Sequence, residues 1–168
     1  IRSRLEHVTK SIFDTEPVRI LMYGSSNTEH IFSGMHWSEV FDFVIKSNYG
    51  RPHRTINCGI GGDTSRGLLG RFSYDAELYK PHLVFITIGG NDSSPAQKIS
   101  PDDFRANLLE LHRKFTAINC HVFYQTYYAA DPLQILDKSY YERFLLNMQI
   151  TREVAAATDS GLVDHYKR

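Results

Sequence analysis

The sequence predicts an α/β protein with three layers, α/β/α, around an open, doubly wound parallel sheet of five strands. Three observations predict it. Short apolar runs alternate with segments of helical periodicity along the 168 residues. The runs VRILMY (18–23) and LVFITI (83–88) are nearly continuous in apolar residues, as expected of strands covered on both faces. Three predicted strands then run into glycine turns carrying small polar residues, all at the same end of the sheet.

Each element has its own justification. Residues 3–14 place Leu5, Val8 and Ile12 at helical spacing, and Pro17 closes that segment before the first strand, 18–23. Trp37, Val40, Phe41, Val44 and Ile45 recur at helical spacing and stop before Asn48-Tyr49-Gly50. The second strand lies near 53–58, followed by a short helix over 64–71 and a turn over 76–79 ahead of Pro81. The third strand, 83–88, is β-branched and aromatic and is bounded by Pro81 and Gly89. Ser100 as N-cap, Pro101, Asp102 and Asp103 start a helix whose apolar face runs Phe104, Leu108, Leu111, Phe115. Strand four spans 121–127. A long helix covers 138–158, with Tyr141, Leu145, Met148 and Ala155 facing inward, and ends at Gly161; Leu162-Val163 opens a fifth strand. No repeat or linker interrupts the pattern, so residues 1–168 read as one domain.

Composition narrows the function classes. Lys+Arg and Asp+Glu both number 19, leaving no net charge to attract nucleic acid or an acidic membrane. No apolar run reaches the length of a membrane span, and no signal peptide stands at the front. Cys58 and Cys120 each abut a predicted strand and read as two buried thiols, which points to a cytoplasmic protein, although Ile1 is not an initiating methionine. The eight histidines form no HxxxH or HExxH pattern, so neither a metal nor a cofactor is expected. The expected partner is a small molecule, with homo-oligomerisation left open.

The chemistry concentrates in the three turns. Ser26 follows a buried strand in Gly24-Ser25-Ser26-Asn27-Thr28, a turn expected to open a helix, where main-chain N–H groups stabilise negative charge. A serine so placed can attack a carbonyl while its own N–H holds the oxyanion; equally, Ser25, Ser26 and Thr28 can be caps and turn formers. Gly61-Gly62-Asp63-Thr64 can present an unobstructed N–H, or make a tight turn that caps the next helix. In Gly89-Gly90-Asn91-Asp92 the asparagine amide offers two donors, or again a turn. A phosphate nest of flavodoxin-like type would use the first turn alone and leave Gly62 and Asn91 unexplained.

Together these turns resemble the SGNH hydrolases, the GDSL esterase and lipase family, from about Val18 onward. GSSNT stands where that family has GDSxT, GGDT is its glycine block, and GGND its GxND block. The resemblance implies a flavodoxin-like strand order 2-1-3-4-5 and a serine esterase working through an acyl-enzyme on Ser26. The oxyanion hole would then be the Ser26 N–H, the Gly62 N–H and the Asn91 side chain. Ser25, Asp63, Asp92 and Tyr127 are the residues expected to contact substrate, an ester of a small acyl group such as an acetylated carbohydrate. Ser25 departs from the family, which has aspartate there.

A base is missing from the pattern. The family takes its histidine and acid from a late DxxH block, and Asp164-His165 has the wrong spacing. With strand five three strands from strand one, at about 4.8 Å each, His165 is expected on the order of 14 Å away. His30 can face Ser26 only if the first turn is helical. The expectation is a DxxH segment beyond Arg168; without one, the same scaffold reads as a non-catalytic small-molecule or carbohydrate-binding domain.

Overall fold

The structure, a computed structural model, describes residues 6, 8–10, 16–31, 34–128 and 137–166. Five parallel strands, β1 (Arg19–Gly24), β2 (Arg54–Gly59), β3 (Leu83–Thr87), β4 (His121–Gln125) and β5 (Gly161–Val163), lie in the order β2-β1-β3-β4-β5. Four helices connect them: α1 (Trp37–Tyr49), α2 (Ser65–Asp75), α3 (Pro101–Ala117) and α4 (Lys138–Ala157). The three-layer, doubly wound fold and the strand order are those the sequence predicts. Most of the helix expected over 3–14 lies outside the described residues; Glu6 and residues 8–10 are helical.

Alternation along the strands divides the core in two. Leu21, Tyr23, Val84, Ile86, Val122 and Tyr124 point to one face, where α2, α3 and α4 cover them with Leu68, Phe72, Leu108, Phe115 and Val154. Ile20 and Met22 point the other way, against Val8, Trp37, Phe41, Phe85 and Phe123. The apolar face predicted for α3 is completely buried at Phe104, Leu108, Leu111 and Phe115. Its Ser100 cap accepts from the Asp103 N–H while Asp103 accepts from Ser100.

Several elements differ in detail from their sequence pattern. On α1, Val40 and Val44 are exposed, because that helix covers the sheet edge and only Trp37 and Phe41 reach the core. On α4 the buried face runs Phe144, Asn147, Met148, Thr151, Val154, Ala155, leaving Tyr141 and Leu145 half-buried. The left-handed residue after α4 is Asp159 (φ 52°) rather than Gly161. Gly161 instead begins β5 under the Phe123 ring, whose atoms would lie 2.2 Å from an added Cβ. Cys120 is buried and Cys58 half-buried, both as free thiols. Burial pushes the Cys58 thiol up to about 11.

Candidate active site

The three glycine turns emerge side by side at the carboxyl ends of β1, β2 and β3, where an open α/β sheet offers its crevice. The first turn closes tightly: the Thr28 and Glu29 N–H groups both donate to the Ser25 carbonyl at 2.9 Å. It makes a single hydrogen-bonded turn and stops, so the expected helix does not start here; α1 begins only at Trp37. Its position is held from outside. The Trp37 indole donates to the Asn27 carbonyl at 2.8 Å, and Asn57 donates to the Thr28 carbonyl at 2.6 Å. The end of β2 abuts it so closely that a Cβ on Gly59 would fall 2.2 Å from the Glu29 nitrogen.

Ser26 is exposed at the tip of this turn, whereas Ser25 is fully buried. Among the described residues, none accepts a hydrogen bond from the Ser26 or Gly62 N–H, and none bonds the Ser26 hydroxyl. Gly62 is exposed and left-handed (φ 78°), a conformation that favours glycine, and an added Cβ would meet nothing within 4 Å. Asn91 donates to the Asp63 carbonyl at 2.8 Å, which ties the third turn to the second and leaves its other amide proton available.

Two cavities meet at Ser26. One, of about 300 Å³, is lined by Ser26, Gly90, Asn91, Tyr127, Tyr140 and Phe144 among others. The other, of about 500 Å³, includes Ser26, Trp37, Gln125, Thr126, Tyr127 and His165. Ser26, Asn27, Tyr127 and Tyr128 line both. The structure therefore brings Ser26, Asn91 and Tyr127 onto one wall. Gly62 stands on the neighbouring turn and lines neither cavity.

Of the residues expected to contact substrate, three are held beneath the site instead. Asp92 is fully buried and accepts from the Ser65 N–H at 2.9 Å and from the Ser65 hydroxyl, which Asn107 also contacts. Burial raises its carboxyl above the ordinary range, while the Ser65 bonds pull the other way. Its contacts make it a clamp between the third turn and the start of α2. Asp63 pairs with Arg71 at 2.7 Å, and that guanidinium also holds Asp75 at 2.8 Å and the Gly24 carbonyl at 3.1 Å. Ser25 is also hidden, with its hydroxyl 2.8 Å from that of Tyr127.

Arg71 and Asn147 are the structural residues that sequence reading misses. Arg71 is an isolated cation in the small and apolar stretch GLLGRF, which is the one signal available. Asn147, buried on α4, donates to the Gly89 carbonyl at 3.1 Å and contacts Ser93 at 3.0 Å, fixing the third turn from behind.

The histidines divide. His30 turns away from Ser26, with Nε2 3.1 Å from the Gly34 carbonyl and its ring stacked on His36 at 5.5 Å. His165 lines the larger cavity together with Ser26. The chain bends there because Thr126 donates to Asp164 at 3.0 Å and accepts from the Tyr166 N–H at 3.2 Å.

Residues 22–168 match the GDSL-like Lipase/Acylhydrolase family. The chain belongs to that family. Over 68 residues this family member is 37% identical to the esterase TesA of Pseudomonas aeruginosa, a match spanning 40% of this chain and 33% of that protein. Its fold superposes on Axe2, an acetylxylan esterase from Geobacillus stearothermophilus, with a TM-score of 0.74 at 20% identity, covering 89% of this chain and 77% of that one. It superposes equally on the lipase/acylhydrolase from Enterococcus faecalis, with a TM-score of 0.73 at 25% identity over the same shares of each chain. The chain is thus a GDSL-type carboxylic ester hydrolase by family.

Proposed function

We propose that this GDSL-type hydrolase cleaves esters of small acyl groups, with an acetylated carbohydrate as the substrate class, through an acyl-enzyme on Ser26. The observation that carries the reading is the pair of main-chain N–H groups, of Ser26 and Gly62, that find no acceptor among the described residues, beside an Asn91 amide with a proton to give. Donors kept unpaired around an exposed serine favour an oxyanion over a neutral carbonyl. In the reaction, Ser26 Oγ bonds to the carbonyl carbon as its proton passes to a base, and the carbonyl π pair moves onto the oxygen held by these donors. Collapse expels the alcohol, which takes the proton back, and water repeats the sequence to release the acid. Similarity in fold to an acetylxylan esterase and the aromatic side chains around Ser26 support a sugar ester.

The reading requires an imidazole within reach of Ser26. The family pattern draws it from a DxxH block, and reading the gene beyond the codon for Arg168 checks for one. A second reading, a binding domain on the same scaffold, is favoured by the Ser26 hydroxyl having no partner among the described residues. Turnover of p-nitrophenyl acetate by the full-length protein and by Ser26→Ala separates the two. Loss of turnover in the variant supports the esterase; equal rates remove Ser26 as nucleophile.

A further inference from the structure

Position 25, where the family carries aspartate, holds a serine that is completely buried. Its hydroxyl lies 2.8 Å from the Tyr127 hydroxyl, the side chain of a residue 102 positions later in the chain. The Tyr127 ring presses on Gly90 closely enough that an added Cβ would meet its Cζ at 3.1 Å. Ser25 precedes Ser26, and Gly90 precedes Asn91. One tyrosine therefore bonds the side chain just before Ser26 and packs on the main chain just before Asn91.

Tyr127 is itself held. Its N–H points at the Met148 sulfur at 3.2 Å, and its ring meets Phe144 edge-on with centroids 5.7 Å apart. Burial keeps the phenol protonated, with its pKa pushed up to about 12, so the link does not titrate near neutrality. An aspartate here would bring a charge into the buried space; a serine needs only a neutral partner of the right reach, and tyrosine is long enough to span the two turns.

We propose that Tyr127 is a positioning residue which, through its hydrogen bond to Ser25 and its packing against Gly90, sets the spacing between Ser26 and Asn91. The inference rests on the esterase reading of Ser26. It assigns Tyr127 a role in the rate of the chemical step, apart from any contact with substrate. Spacing between nucleophile and oxyanion donor matters because a displacement of about 1 Å costs on the order of a hundredfold in rate.

The test is a double-mutant cycle on p-nitrophenyl acetate hydrolysis with the full-length protein. Tyr127→Phe and Ser25→Ala should each lower kcat by about tenfold or more with KM within about twofold, and the double variant should be no slower than the slower single. Thermal unfolding of each variant reports whether it is folded at the assay temperature, and Ser25→Ala probes the bond from its other end if Tyr127→Phe does not fold. Unchanged kcat in the folded singles overturns the proposal, as does a double variant whose losses multiply. Ser26→Ala serves as the control: if it retains full turnover, the esterase reading itself fails. If it is inactive while Tyr127→Phe is fully active, only the positioning role fails.

Discussion

The side-chain amide of Asn91 donates to the main-chain carbonyl of Asp63 across 2.8 Å, joining the third glycine turn to the second. One amide proton is spent on architecture, and the proposed reaction would use the other to hold the oxyanion. Asn91→Ala removes both. The expected result is a fall in kcat of about a hundred- to a thousandfold, as for loss of a single oxyanion donor. Stability should drop by only about 1 kcal/mol, the net worth of one partly buried hydrogen bond. Steady-state kinetics and urea unfolding on the same preparation separate the two effects.

Arg71 performs the equivalent task from below. It joins Asp63 of the second turn to the carbonyl of Gly24 at the end of β1, and it lies over the Tyr23 ring at 4.5 Å. Arg71→Met keeps much of the volume but leaves Asp63 without its counter-ion, at a site where both side chains are largely buried. Breaking one side of such a pair should cost about 2–4 kcal/mol, less than for a fully enclosed pair because Asp75 reaches solvent. Arg71→Lys should recover only part of this, since an ammonium cannot match three acceptors with a planar fork. Urea midpoints at constant m-value give the comparison.

Asp92 gives the protein an unusual pH response. Burial raises its carboxyl, so the fold disfavours the charged form relative to the unfolded chain. The sign follows: its contribution is most favourable below the ordinary carboxylate pKa and declines as pH rises through the raised value. Asp42, hydrogen-bonded by Lys46 and Thr55, is lowered, so its contribution runs the other way and is lost towards acid. Comparing wild type with Asp92→Asn cancels the distant groups. The stability of wild type relative to the variant should fall as pH rises above the ordinary carboxylate pKa of about 4. A difference that stays flat or rises with pH would contradict the assignment.

The parts of the site legible in the sequence are those written in local patterns. Apolar runs ending in glycine and small polar residues mark the three turns, and alternation of strand and helix places them at one end of the sheet. What escapes is carried by polar side chains that fold inward. Asn147 and Thr151 belong to the buried face of α4, so a stripe drawn through apolar residues alone selects Tyr141 and Leu145 and misplaces that face. Asp92 reads as a substrate contact or a turn former, and only the arrival of Ser65 from another element shows it to be a buried clamp. Arg71 is equally silent, because its partners Gly24 and Asp63 come from different strands.

His165 offers a direct test of how the base is supplied. It stands on the wall of the same cavity as Ser26, so position alone makes it a candidate. A catalytic imidazole must also be oriented by a third group. The nearest acid in sequence, Asp164, is committed elsewhere: Arg152 holds its carboxylate with bonds of 2.9 and 3.0 Å, and Thr126 adds another at 3.0 Å. His165→Asn should therefore lower kcat by less than about tenfold, whereas loss of a true general base costs a hundredfold to ten-thousandfold. A loss in that larger range, with a matching change on the acid limb of the pH–rate profile, would make His165 the base and show that this chain dispenses with the DxxH spacing.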